Sequence, residues 1–431
     1  MKPSYYNCFF PFKDQYILFN TLRGAIFVVD EDAKTVLETG NLEALGDLKE
    51  AFQKSGIIVE DELNEQDMYS LIYTGSKYTS LSTSLHVITT YACNLSCIYC
   101  YEGRGELERR AMDVKTSQQT VQFIKDLVLS NNSKGLGIEL FGGEPLLNMP
   151  INELIIEDLS GWCKEKGLNF SVNAITNGTL CSEETVDRLA RYGCSFLVTL
   201  DGPEKIHDQR RVYKNGKGTF KDIMEGLYRI RDRDLGTMIR INVDEGNKND
   251  IVTLFEELKE KGLDKAVISI KPVFNTSPAC LSYGYCMPDV EGMSLVNELY
   301  AVARKMGFRT EESERPTPQG ACSAQRASYF TIDPYLRLFK CAILPPYEKN
   351  AVGVVNEEGR AVFNYVNVDF MSRDPLYLDK CRECQFVPVC RGGCPAEVYE
   401  TQGTTHGYAC RKSGFHKMLE ENLIQFVTKK M

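Results

Sequence analysis

Between residues 84 and 275 the chain repeats one pattern, a short apolar run followed by a longer stretch with helical period. The runs Leu85–Thr89, Ile138–Phe141, Phe170–Ile175, Ser195–Leu200, Met238–Val243 and Ala266–Ile270 predict strands. Helices are predicted near 116–130, 151–166, 183–192, 219–232 and 249–261, with Ser182 and Asn249 as N-caps. Strands alternating with helices imply a parallel sheet with right-handed crossovers. Six of them suit a partial (β/α)6 TIM-like barrel, in which chemistry gathers at the C-terminal strand ends.

The flanks break this rhythm. Residues 1–80 read as a separate small α+β unit of winged-helix-like character. Its expected strands are Tyr16–Phe19, Gly24–Val29 and Ile57–Val59, and its expected helix runs from Leu42 to Gln53, with apolar residues at Leu42, Leu45, Leu48 and Phe52. With the barrel placed at 81–280, a bridge assigned to 281–319 is marked by Pro278, Pro288 and a helix near 291–306, and Pro316-Thr317-Pro318 marks a linker. Residues 320–410 lack long periodic segments and are rich in cysteine, and 411–431 end in an amphipathic helix from Phe415 to Val427.

Composition narrows the function. The net charge of −9 leaves no basic excess for a phosphate backbone, so nucleic acid is not an expected partner. Neither a signal peptide nor an 18-residue apolar run is visible, which predicts a cytoplasmic protein with no membrane partner. Sixteen cysteines in such a chain are not expected to be disulfides. Three crowd into 93–100 and seven fall between 322 and 410, the clustering that metal ligation needs. Cys8, Cys163, Cys181 and Cys194 stand apart and read as small buried hydrophobes.

The segment Cys93-x3-Cys97-x2-Cys100 directly follows the first barrel strand. Three thiolates on one loop can hold three irons of a [4Fe–4S] cube and leave the fourth iron open. A zinc site is the alternative, but zinc wants four ligands and no further Cys or His lies near this loop. This loop, with Tyr99 before its last cysteine, resembles the radical S-adenosylmethionine (SAM) superfamily. Gly142-Gly143-Glu144-Pro145, at the end of the second strand, resembles the family motif that contacts the amino group of SAM. Thr176-Asn177-Gly178 and the segment from Thr199 through Asp201 and Gly202 to Pro203 resemble stretches that line the SAM pocket, although Asn-Gly and Asp-Gly are also ordinary turns. The resemblance implies Cys93, Cys97 and Cys100 as catalytic cluster ligands. It implies Tyr99, Gly142, Gly143, Glu144, Pro145, Asn177 and Thr199 as cofactor contacts. It also implies the reaction: SAM chelates the open iron, one electron splits a C–S bond, and a 5′-deoxyadenosyl radical takes a hydrogen atom from substrate. His207, Arg210 and Arg211 follow the Asp201 segment and either face this pocket or lie on the surface.

Downstream, Cys381-x2-Cys384-x5-Cys390-x3-Cys394 with Cys410 resembles the SPASM domain, which holds two auxiliary [4Fe–4S] clusters. A structural zinc ribbon is the alternative on spacing alone. Carried over, Cys381, Cys384, Cys390 and Cys410 hold one auxiliary cluster, while Cys322, Cys341 and Cys394 hold the other, making three clusters with the first loop. Two positions depart from the family. Leu336 replaces a glycine five residues before Cys341, so a locally different turn is expected there. Pro316 stands where some relatives supply a fourth ligand, leaving an open iron or a ligand from Cys280 or Cys286.

SPASM proteins imply peptide substrates. Sulfatase-activating relatives carry Asp directly after the second upstream cysteine, and here Ala342 and Ile343 follow Cys341. The small N-terminal unit resembles elements that bind a leader peptide as an added edge strand. The resemblance thus implies a maturase that installs a thioether in a precursor peptide with a leader, fed by a low-potential donor such as flavodoxin or ferredoxin. Carbon–carbon or carbon–oxygen crosslinking, sulfatase-maturase-like oxidation and a non-catalytic zinc-stabilised peptide binder are the other readings.

Overall fold

The computed structural model describes residues 1–100, 110–273, 283–311 and 315–431. By contact the chain divides into two units. One comprises 1–79, 313–326 and 371–431, and the other 80–312 and 327–370.

The first unit opens with β1 (Lys2–Pro3), β2 (Asn7–Phe12), β3 (Gln15–Asn20) and β4 (Ile26–Val29). The last three form an antiparallel sheet in the order β2-β3-β4. Next come α1 (Glu31–Thr39), α2 (Leu48–Ser55), β5 (Ile58–Val59) and α3 (Glu65–Tyr78). The expected helix from 42 to 53 is broken: Leu42–Leu45 is a single 3₁₀ turn, and Gly46 at φ 54° separates it from α2. The helices α1 and α3 and the strand β2 are not announced by the sequence pattern. Their starts are set by side-chain caps, with Asp30 accepting from Ala33 N–H at 2.8 Å and Asn64 from Gln66 N–H at 3.1 Å. The C-terminal helix, Lys412–Lys430, buries Leu419, Leu423 and Val427 against Phe10, Ile17 and Phe19 of the sheet. The cysteine-rich stretch of this unit folds as short helices, Asp379–Arg382, Val387–Cys390 and Pro395–Gln402, joined by tight loops.

The second unit is built on β6 (Ser82–Thr90), β7 (Gly135–Gly142), β8 (Asn169–Thr176), β9 (Ser195–Thr199), β10 (Thr237–Val243) and β11 (Val267–Pro272). Each predicted strand is present, and neighbours pair in parallel in sequence order. Between them run α4 (Val114–Ser130), α5 (Met149–Lys166), α6 (Glu183–Ala190), α7 (Glu204–Arg210), α8 (Phe220–Arg231) and α9 (Ile251–Glu260). Ser182 caps α6 as expected, accepting from Thr185 N–H at 3.1 Å. Asp250, not Asn249, is the N-cap of α9, without a side-chain bond. The helix α10 (Asp289–Lys305) leads to β12 (Arg309–Thr310), which adds to β11.

On the other side the sheet is extended by a strand that local pattern did not reveal. β13 (Tyr329–Ile332) pairs in parallel with β6, matching Thr331 to His86. β14 (Arg337–Phe339), β15 (Gly353–Val355) and β16 (Ala361–Phe363) continue as an antiparallel meander, giving eleven strands among the described residues. The residue that replaces glycine in the β13–β14 turn, Leu336, adopts φ 60°. This is the left-handed conformation that glycine favours, here taken by leucine. No helix among the described residues is long and apolar enough to cross a membrane.

Candidate active site

The cysteine loop leaves β6 at its C-terminal end and is laid against residues 210–213. Ser96 N–H donates to the Val212 carbonyl at 2.8 Å and Ile98 N–H to that of Arg210 at 3.0 Å. A bridge between Leu95 and Tyr213 completes the seam. Cys97 is buried, while Cys93 and Cys100 are half-buried, and the other two thiols act electrostatically on Cys93. Burial pushes the Cys93 thiol up to about 12 and raises that of Cys97, with the Arg211 guanidinium pulling against the rise at Cys97. Such thiols stay protonated until metal displaces the proton. No three His, Cys, Asp or Glu among the described residues close on a single-ion site. A cubane takes one thiolate per iron and does not need that closeness.

The Gly142-Gly143 segment packs directly on this loop. A Cβ on Gly143 would stand 2.5 Å from the Ala92 carbonyl oxygen and 2.6 Å from that of Tyr91. Only glycine permits that approach. Glu144 has no exposure, and burial raises its carboxyl pKa. Its Oε1 accepts from Thr176 Oγ1 at 2.7 Å and Leu146 N–H at 3.1 Å, and its Oε2 from Asn177 N–H at 2.8 Å. The carboxylate therefore ties the ends of β7 and β8 together, and Pro145 is buried beside it. Asn177 Nδ2 donates to Asn94 Oδ1 at 2.8 Å and lies 3.9 Å from Cys93 Sγ. Thr199 ends β9 and is buried.

Tyr99 is the hub of the other side. Its hydroxyl bonds Asp201 Oδ2 and accepts from Arg211 Nη1 at 2.8 Å and Asn242 Nδ2 at 3.2 Å. Burial raises its pKa well above that of a free phenol. Asp201, without exposure, also accepts from Asn242 N–H at 2.9 Å. Arg210 grips Asp244 with both terminal nitrogens, at 2.8 and 2.7 Å, and bonds Tyr283 at 2.9 Å. His207, Arg210 and Arg211 are all buried, which excludes the surface placement. Asn242, Asp244 and Tyr283 were missed. The polar residues Asn242 and Asp244 at the end of an apolar strand were the available signal for the first two. Arg211 Nε is buried with no hydrogen-bond partner among the described residues. Three thiols on one loop, backbone packed too closely for side chains and an unsatisfied cation donor together fit an iron–sulfur cluster with a zwitterionic amino-acid cofactor.

In the smaller unit, Cys381, Cys384, Cys390 and Cys410 form a second group. Burial pushes Cys381 up to about 11, and Cys390, Cys384 and Cys410 all act electrostatically on it. Gly393 brings the Cys390–Cys394 loop against Cys410: a Cβ there would lie 2.4 Å from the Ala409 carbonyl oxygen. A fully buried arginine missed in the sequence, Arg373, holds these loops by donating to the Gly392 carbonyl at 2.7 Å, the Gly407 carbonyl at 2.8 Å and the Thr405 carbonyl. Cys322 acts electrostatically on Cys394 within the same unit. Cys341 follows β14 in the other unit. Cys280 lies outside the described residues, and Cys286 is disulfide-bonded, so its sulfur is not free for iron in this state. Cys8, Cys163, Cys181 and Cys194 are buried, as expected for apolar packing.

The radical SAM superfamily pattern matches residues 87–258. Matches to the first curated relatives span only 41–48% of those proteins' lengths. One of these is the sporulation killing factor maturation protein SkfB of Bacillus subtilis, 27% identical over 44% of this chain and 42% of its own. The radical SAM cyclopropyl synthase TigE of Paramaledivibacter caminithermalis is 20% identical over 96% of this chain and 93% of its own. Among solved structures, anSMEcpe with bound AdoMet aligns with a TM-score of 0.62 at 17% identity, covering 80% of this chain and 96% of its own. Streptococcus suis SuiB bound to its precursor peptide SuiA aligns with a TM-score of 0.54 at 15% identity, covering 95% and 99%. Residues 87–258, which carry the cysteine loop on the first barrel strand and the double-glycine strand end packed upon it, match the radical SAM superfamily.

Proposed function

We propose that the chain is a radical SAM maturase that crosslinks a ribosomally made precursor peptide, forming a thioether between a cysteine sulfur and a carbon of another residue. The observation that carries the reading is the set of three thiols held on one loop at the C-terminal end of β6. Cys93, Cys97 and Cys100 would hold the cluster, and the strand ends at Gly142–Gly143, Asn177 and Thr199 would face SAM. When bound, these cofactors supply a 5′-deoxyadenosyl radical that removes a hydrogen atom from substrate. The protein's part is to position. Glu144 locks two strand ends, Arg211 sets a positive charge beside Cys97, and the buried ring of hydrogen bonds around Tyr99 keeps the loop rigid.

Two further observations support a peptide substrate and auxiliary clusters. The edge strand β4 reads Ile-Phe-Val-Val, is half-buried at Ile26 and Phe27 and exposed at Val28, and among the described residues pairs only with β3, which suits addition of a leader strand. The group Cys381, Cys384, Cys390 and Cys410 offers four thiols to one cluster, and Cys322, Cys341 and Cys394 are the sequence-derived ligands for a third. A flavodoxin- or ferredoxin-like donor in the cytoplasm would reduce them. Carbon–carbon bond formation is the second reading, favoured by the full-length similarity to a cyclopropyl synthase.

The test is anaerobic incubation of a short cysteine-containing peptide encoded beside this gene, with mass spectrometry before and after iodoacetamide. Loss of two hydrogens with loss of one alkylatable thiol supports the thioether, and loss of two hydrogens with all thiols retained supports the second reading. Cys384→Ala is expected to cleave SAM but give no crosslink; full product from it contradicts the auxiliary role.

A further inference from the structure

The concave face of the sheet carries charge below the cysteine loop. Polar residues alternating with the buried apolar ones include His86 on β6, Glu139 on β7, Arg240 on β10, and Ser269 and Lys271 on β11. Two strands separate β7 from β10, which in a flat sheet puts them about 14 Å apart. Arg240 nonetheless acts electrostatically on the Glu139 carboxylate, as it does on Glu311, so the sheet curls and these side chains share its hollow. Asn242, two residues further along β10, reaches the Tyr99 hydroxyl at 3.2 Å. Arg240 therefore lies one layer beneath the loop that carries the cluster cysteines.

Arg240 is positioned but not neutralised. Its Nε donates to Ser269 Oγ at 2.9 Å, and that fully buried hydroxyl donates onward to Glu311 Oε2 at 2.5 Å. Glu311 is already paired with Lys271 at 2.9 Å, and Glu139 with His86 at 2.7 Å. Both nearby carboxylates are thus engaged by other bases, and no carboxylate among the described residues pairs with Arg240. The two terminal nitrogens of this half-buried residue present a planar cationic fork with no hydrogen-bond acceptor among the described residues. Arginine is rarely drawn below the surface without a partner, and the partner that matches the fork is a carboxylate.

We propose that the terminal nitrogens of Arg240 form a subsite for a carboxylate of the peptide substrate, holding the residue to be modified beneath the cysteine loop. The inference rests on the peptide-maturase reading above. An acidic side chain and the peptide's C-terminus carry the same group, and the test separates them.

Three pentapeptides serve as probes: acetyl-Ala-Cys-Glu-Ala-Ala-amide, its Gln counterpart as the amide, and that Gln counterpart with a free C-terminal carboxylate. Saturation-transfer NMR is recorded on each with the full chain, reconstituted with iron and sulfide and saturated with SAM. One carboxylate peptide is expected to bind at least tenfold better than the neutral one. The Glu peptide identifies a side chain and the free acid a C-terminus. Arg240→Gln is expected to abolish the preference, and Arg240→Lys, which keeps the charge without the fork, to retain part of it. Equal binding of all three peptides, binding of neither carboxylate peptide, or an unchanged preference in Arg240→Gln overturns the subsite. Loss of SAM binding in Arg240→Gln assigns the fork to the cofactor and overturns it as well. Formation of 5′-deoxyadenosine by the dithionite-reduced wild type, measured in parallel, shows whether the radical reading or only the subsite has failed.

Discussion

The buried carboxylate of Glu144 accepts the backbone N–H of Asn177 at 2.8 Å, joining the ends of two parallel strands at the point where the chemistry is assigned. Its other oxygen accepts two further bonds, so each carboxylate oxygen has work that an amide nitrogen cannot do. In Glu144→Gln, one N–H must face another donor whichever way the amide turns. We expect a loss of about 2 kcal/mol, the cost of opposed buried polar groups, read as a lowered denaturation midpoint. A variant as stable as the wild type would show that the carboxylate is not structural.

His207 supplies a pH dependence. Its Nδ1 accepts from Asp201 N–H at 3.1 Å, and Nε2 lies 3.0 Å from Thr219 Oγ1, whose proton is committed to the Arg211 carbonyl at 2.7 Å. The ring is therefore the neutral Nε2–H tautomer. Burial, with the charges of Arg211 and Arg210, holds its pKa well below 6.5. Below about 6.5 the unfolded chain binds a proton that the folded chain refuses, so stability present at pH 7 is lost as the pH falls. The contribution lost by pH 5 is about 2 kcal/mol. Unfolding curves of His207→Gln should start from a lower stability but fall less steeply between pH 7 and pH 5. Parallel slopes for the two proteins would contradict the assignment.

Leu336 tests the β13–β14 turn. A leucine at φ 60° already carries strain of roughly 1–2 kcal/mol. Leu336→Gly relieves it but loses side-chain burial and gains unfolded-state freedom, so its net effect should stay within about 1 kcal/mol. Leu336→Val should cost about 2 kcal/mol, because a β-branched residue tolerates positive φ least. Equal thermal midpoints for the two variants would argue against the left-handed turn.

What the sequence disclosed follows from how each feature is encoded. The barrel strands were legible because each is a local apolar run, as in Ile138–Phe141, and the cysteine loop because its spacing is local too. The pairing of Tyr329–Ile332 with β6 joins residues some 240 positions apart and leaves no periodicity to read. The break at Gly46 was hidden because the apolar residues on both sides keep helical spacing. Glu144 reads from the sequence as a contact for the amino group of SAM, and only the fold shows that its oxygens also accept from Thr176, Asn177 and Leu146. The burial of Arg211 and Arg373 ran against the usual exposure of arginine, so composition pointed outward where packing pointed inward.

The central claim is that Cys93, Cys97 and Cys100 hold a cluster with one iron open to SAM. The direct measurement is 5′-deoxyadenosine formation by anaerobically reconstituted, dithionite-reduced protein, with iron analysis of the same samples. The wild type should turn over SAM with about twelve irons for three cubes, and the triple Cys→Ala variant should keep about eight irons and form no 5′-deoxyadenosine. Undiminished 5′-deoxyadenosine from the triple variant would contradict the account.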